Sequence, residues 1–157
     1  MAATIIADLM IYESGDGGEL SLKNDDLEAI SSITNQVYLA FFGGNLEQDT
    51  SNLLNDLDDR LDWWGNDELM DIPFNSSFER TLGKVSLNSI GLRQLENAAK
   101  EDLKYLTEYA DIIITASVET VDRLSLIVDL IEPDNQSFKI KFVWDNLKSE
   151  LIEDRIL

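Results

Sequence analysis

Carboxylates dominate the chemistry this chain can offer. It carries 31 Asp and Glu residues and neither His nor Cys, so the commonest general base, the commonest metal ligand and the thiol nucleophile are all missing. Paired carboxylates serve glycoside hydrolysis as acid and nucleophile. With so many, however, proximity of two is expected by chance, and no spacing singles out a pair. The acidic tract at residues 56–62 lacks the alternating ligands and central glycine of an EF-hand loop. Gly15, Asp16, Gly17 and Gly18 lack the following Lys and helix start of a phosphate loop. No catalytic residue, cofactor or metal site is expected. The chain reads as a non-enzyme.

The remaining unusual chemistry is aromatic. Two of the three tryptophans stand together at Trp63 and Trp64, followed by Gly65 and preceded by Arg60 among Asp58, Asp59 and Asp62. Each indole covers roughly 200 Å² of apolar surface, and adjacent side chains in an extended segment point to opposite sides. One ring can therefore enter the core while the other faces a neighbouring chain, with Gly65 permitting a turn closed to other residues. Such a two-sided clamp suits an assembly component. The plainer reading is that both rings plug the core beneath a long loop.

These residues need a frame, and hydrophobic periodicity supplies one. Residues 4–12 and about 19–22 read as a short hairpin closed by the glycine-rich turn. Ile30, Ile33, Val37 and Phe41 recur at helical spacing, with Gly43 and Gly44 as a stop. Residues 45–62 form a polar, acidic loop; one that long in a compact domain is usually functional or pinned by a partner. Ser76 and Ser77 are placed to cap a brief helix carrying Phe78 and Leu82. From about 88 to 109, Leu92, Leu95, Ala99, Leu103, Leu106 and Ala110 step by three and four, with Glu96 and Lys100 paired on the wet face.

Three alternating strands follow. Ile112, Ile114, Ala116 and Val118 share one face, as do Leu124, Leu126, Val128 and Leu130, then Phe138, Ile140, Phe142 and Trp144. Pro133, Asp134, Asn135 and Gln136 supply the turn between the last two. The expected fold is α+β: an antiparallel three-stranded meander plus an N-terminal hairpin, packed against one long and one shorter helix. Residues 1–157 read as a single domain, ending in an arm from about 146 to 157. Lys139 and Lys141 face away from the apolar side of the last strand. The final strand of a meander is often a sheet edge, where exposed lysines discourage unwanted pairing.

Composition bounds the function classes. An apolar content of 44% argues against wholesale disorder, and 157 residues can bury one substantial core. No apolar run approaches the ~20 residues of a bilayer span, and no signal-like segment opens the chain. Without cysteine nothing points to an oxidising compartment. The net charge of −19 is uneven: residues 1–72 hold 16 acids and 2 bases, residues 73–157 hold 15 and 10. Such a surface repels phosphate, so no direct contact with nucleic acid or membrane is expected, and it suits a partner with a basic face. Plain solubility is the simpler account of the same charge.

Residues 58–67, reading Asp-Asp-Arg-Leu-Asp-Trp-Trp-Gly-Asn-Asp, resemble the Arg-rich, Trp-Trp-Gly-Asp segment of the Mu-type phage baseplate protein family. The flanking parts follow in the family's order. Ala7, Asp8 and Leu9 come first, then the turn Gly15, Asp16, Gly17, Gly18, Glu19, Leu20, then Asp26, Leu27, Glu28, Ala29 and Ile30 as a helix start. Asn75, Ser76, Ser77 and Phe78 follow the tryptophans, and Glu132, Pro133, Asp134 and Asn135 stand where the family has Arg-Pro-Asp-Gly. Phe142, Val143, Trp144 and Asp145 end the last strand. The resemblance spans roughly residues 5 to 148. The chain departs from the family in keeping only Arg60 of an arginine pair, Glu132 for Arg and Asn135 for Gly.

The resemblance implies a structural subunit of a contractile-tail baseplate, similar to the small wedge component of T-even phages and its type VI secretion relative. Implied partners are other wedge proteins, the sheath protein and the tail tube, in a virion tail assembled in the host cytoplasm. Candidate contact residues are Arg60, Trp63, Trp64, Gly65, Lys139 and Lys141, the lysines through strand addition to the first sheath ring. The alternative is an acidic decoy that mimics DNA and occupies a host nucleic-acid-binding protein.

Overall fold

The computed structural model describes residues 7–13, 18–43, 74–133, 137–148 and 150–157. Its N-terminal part is built from six short strands: β1 (Ala7–Leu9), β2 (Ile11–Glu13), β3 (Gly18–Leu20), β4 (Leu22–Lys23), β5 (Asp26–Leu27) and β6 (Ala29–Ser31). They pair as three antiparallel ribbons, β1 with β6, β2 with β3 and β4 with β5. The expected hairpin is present in β2 and β3, with Ile11 opposite Leu20; its turn at 14–17 lies outside the described residues. Residues 7–9 leave that hairpin and pair with β6 instead.

Residues 26–30 do not open a helix. Asn24 and Asp25 both adopt positive φ, 55° and 63°, the backbone of a type I′ reversal that Asn and Asp tolerate better than most residues. This two-residue turn sets Lys23 opposite Asp26 and Leu22 opposite Leu27. The chain then runs on as β6, so Ile30 is a strand residue facing Asp8. Met10, Ser21 and Glu28 stand where the three ribbons meet. Met10 N–H donates to the Glu28 carbonyl at 2.8 Å, Glu28 N–H to Ser21 at 2.9 Å, and Ser21 N–H to Met10 at 2.9 Å. A closed triangle of backbone hydrogen bonds thus joins three arms.

Three helices follow: α1 (Ser32–Phe42), α2 (Ser77–Leu82) and α3 (Ser89–Asp102). In α1 the spacing of Ile33, Val37 and Phe41 buries one stripe. Gly43 follows its last residue, at a position where a Cβ would lie 2.6 Å from the Leu39 carbonyl oxygen. Helix α2 carries Phe78 and Leu82 inward as expected, but Ser76 does not cap it; its hydroxyl donates to the Ala40 carbonyl. The Asp102 carboxylate caps it from outside, accepting Ser77 N–H at 3.0 Å and Phe78 N–H at 2.7 Å. Asn88 caps α3 through Ile90 and Gly91 N–H. The expected helix to residue 109 stops at Asp102 and tightens into a 3-10 turn (Lys104–Glu108). The tighter turn keeps Leu103, Leu106 and Ala110 buried while the α-helical part ends with Asp102 against α2.

The second sheet has four strands where three were expected. Strands β7 (Asp111–Thr120), β8 (Arg123–Ile131) and β9 (Ser137–Asp145) form the anticipated meander, and β10 (Glu150–Ile156) adds to β9, giving the order β10-β9-β8-β7. The expected arm is therefore largely strand, anchored by buried Leu151 opposite Trp144. Part of the turn after Pro133, residues 134–136, lies outside the described residues. The apolar faces meet the helices as the alternation predicts. Leu124, Leu126, Val128, Leu130, Ile140 and Phe142 pack with Val37, Phe41, Phe78, Leu95, Leu103 and Leu106 in one buried cluster. Phe41 sits 4.4 Å from Phe78 and 5.5 Å from Phe142, centroid to centroid. Truncating any one of these rings to Ala costs about 3–5 kcal/mol. The architecture is α+β.

Candidate interaction surface

Arg60, Trp63, Trp64 and Gly65, with the acidic loop at 45–62, lie outside the described residues. Lys139 and Lys141 are placed, on the sheet face away from the helices, but not at an edge: β8 and β10 pair along both sides of β9. Both lysines are also engaged. Lys139 Nζ lies 3.0 Å from Oδ2 of Asp129, its direct partner in register, and Lys141 Nζ meets Glu119 Oε1. The guarded edge thus gives way to cross-strand ion pairs inside a sheet, because the apolar residues after 146 continue the sheet. The Lys139–Asp129 pair, half-exposed at the lysine, contributes at most ~1 kcal/mol.

The outer strands are β7 and β10. The β7 edge is blunted at its middle: Ala116 N–H points away from β8 and donates to Glu96 Oε1 of α3 at 2.9 Å. Glu96 therefore ties helix to sheet in place of its expected partnership with Lys100. At the other end, Asp145 closes the β9–β10 turn by accepting Leu147 and Lys148 N–H, each at 3.1 Å. The Lys148 N–H bond does most to hold its carboxyl below the usual range, helped by Leu147 and by the Arg123 guanidinium at 3.6 Å.

The three-arm unit is fixed to α1 by one buried amide. Asn35 Oδ1 accepts Ile11 N–H at 3.2 Å, and its Nδ2 donates to Leu9 O at 2.6 Å and Asp8 Oδ2 at 2.9 Å. On the same side, Glu28 accepts Ser21 Oγ–H at 2.9 Å and Lys23 Nζ at 3.2 Å. These two bonds hold its carboxyl below the usual value. Asp102 moves the other way. Burial pushes it up to about 6, against the opposing pull of the Phe78 and Ser77 N–H bonds.

The chemistry of these carboxylates is structural. Asp8, Glu28, Glu96, Asp102 and Asp145 each accept hydrogen bonds that join or close elements. Among the described residues no three acidic side chains converge as a cation site would require, and no helix is long and apolar enough to cross a membrane. Sequence reasoning missed Asn35 and Asp102 and gave Glu96 a different partner, because the true partners lie 20 to 27 residues away. It passed over Asn24 and Asp25, whose turn signal between alternating leucines was readable. Comparison of the chain with protein-family models, curated proteins and solved structures finds no match.

Proposed function

We propose that this chain is a structural subunit of a contractile phage tail baseplate, joining wedge proteins near the tube and helping to start the sheath. The observation that carries the reading is the order of motifs from Ala7, Asp8 and Leu9, through Trp63, Trp64 and Gly65, to Trp144 and Asp145. The five carboxylates described above fit it, because each accepts hydrogen bonds that cap or join elements. Sheath contact by strand addition belongs in this fold to an outer strand, β7 or β10, and not to β9.

The decoy reading draws on the net charge of −19. A DNA mimic needs its charge spread as a regular exposed stripe, whereas −14 of the net −19 falls in residues 1–72, where 16 acids meet only 2 bases. A density map of intact particles, with this chain located by a fused tag, tests the proposal. Position in the baseplate beside the tube is expected. Absence from purified tails, with recovery on a host nucleic-acid-binding protein, would transfer the assignment to the decoy. Within the baseplate, Trp63→Ala and Trp64→Ala should differ: one destabilises the chain by about 3–5 kcal/mol, the other spares folding and weakens assembly by at least ~2 kcal/mol.

A further inference from the structure

The three-arm unit has two unlike faces, and its registers define them. Leu9 lies opposite Ala29, Ile11 opposite Leu20, and Leu22 opposite Leu27. Directly opposed residues share a face, and so do residues two apart along a strand. The pairs Leu9 and Ile11, Leu20 and Leu22, and Leu27 and Ala29 are each two apart, one pair on each of the three chain passes through the junction. The six side chains therefore close a ring on one side of the Met10, Ser21, Glu28 triangle. The other face carries Asp8, Ser21, Lys23, Asp26 and Glu28 beside Met10 and Ile30, with Ser21 and Lys23 both bonded to Glu28.

Most of that ring is bare. Ile11 is half-buried against the core, but Leu9, Leu20, Leu27 and Leu22 are 39%, 49%, 44% and 70% exposed, and Ala29 is exposed beside them. Single exposed apolar residues are ordinary; a contiguous set on a rigid frame marks a contact surface. The frame is rigid because the triangle closes on itself and Asn35 bonds it to α1. Little ordering cost is then left for binding. An open depression of about 410 Å³, lined by Lys23, Asn24, Asp26, Leu27, Glu28 and Ala29, lies alongside.

Charge selects the occupant. Behind the ring, on the opposite side of the same two-stranded ribbons, stand Asp8, Asp26 and Glu28, with Asp25 in the turn between β4 and β5, against one base, Lys23, whose ammonium is already bonded to Glu28. A second copy brings another net −19 and is repelled, as are nucleic acid and anionic lipid. We infer that the leucine ring docks an amphipathic segment of another protein, apolar on one side and flanked by Lys or Arg. This goes beyond the baseplate proposal and holds for any assembly in which the chain takes part.

The test uses the full chain and a synthetic helical Leu–Lys peptide, with a Leu–Glu peptide of the same pattern as control, titrated by fluorescence anisotropy. The Leu–Lys peptide should bind and the Leu–Glu peptide should not. Leu22→Ser/Leu27→Ser should weaken binding at least about tenfold, and Leu20→Ser alone, on a different arm, should weaken it less. Val121→Ser, at a residue 87% exposed on the β7–β8 turn, should change nothing. All of these side chains are exposed, so unfolding midpoints should match the parent; if the double variant unfolds, Leu20→Ser carries the comparison. Equal binding by parent and leucine variants, equal binding of both peptides, or an equal loss in Val121→Ser would overturn the inference. A dimer in sedimentation that the leucine variants dissociate would assign the ring to a second copy and overturn it as well.

Discussion

Asp102 is a carboxylate held where its charge is costly, and its titration gives that a sign. Burial raises it from 3.8 to about 6 in the folded chain. The stabilising contribution of the protonated form is fully present below about pH 4 and is lost as pH rises through about 6. A shift of this size corresponds to roughly 3 kcal/mol at most. Asp102→Asn keeps the shape and removes the titration. In urea unfolding, the stability of Asp102→Asn relative to the parent should therefore improve between about pH 4 and pH 7. A flat difference would show that the buried carboxylate carries no such penalty. Glu28 and Asp145, both held low, act in the opposite sense, losing their contribution as pH falls through their folded values. Asn35 satisfies three partners from a buried position. Asn35→Ala should cost about 2–4 kcal/mol and speed amide exchange at Ile11 before the sheet is affected.

At the scale of elements, periodicity carried most of the reading. The stripes of α1 and α3 and the alternation of β7, β8 and β9 were legible because each packs on a single core. Residues 26–30 misled because their helix start was taken from the family resemblance, and Ile30 stood in phase with Ile33, Val37 and Phe41. The deciding signal was the Asn24, Asp25 turn just before them. Asp25→Gly should test that turn: glycine takes the φ of 63° without strain, so a gain of about 0.5–1 kcal/mol in unfolding free energy is expected. The cap of α2 was not legible, since Ser76 is a good local candidate and Asp102 lies 25 residues on from Ser77. Glu96→Ala removes the acceptor for Ala116 N–H on the β7 edge. It should cost about 1–3 kcal/mol and raise concentration-dependent association, measured by light scattering, because an uncovered strand edge recruits another.

For the whole molecule the dominant quantity is charge. A net −19 opposes compaction, so the isolated chain should unfold at a higher temperature as salt rises from about 0.05 to 0.5 M. Binding of a basic partner to the acidic N-terminal half should weaken over the same series. If both responses ran in the same direction, the acidity would serve solubility alone. Sequence made this imbalance plain. It could not show the leucine ring, because the ring exists only once β1 has met β6, with Leu9 opposite Ala29 across 19 intervening positions. Of the candidate site, the sequence supplied Lys139 and Lys141 correctly as residues of the outward sheet face, and wrongly as guards of an edge.

Those lysines acquire a second meaning when β10 is taken away. Strand β10 is all that separates β9 from the open margin of the sheet, and a terminal strand is the part that frays first. With β10 peeled off, the backbone of β9 becomes a template for another chain. Lys139 and Lys141 already sit on that strand, held by Asp129 and Glu119 from strands that stay in place. A pair of residues that looks redundant in the complete sheet would thus guard an incomplete one.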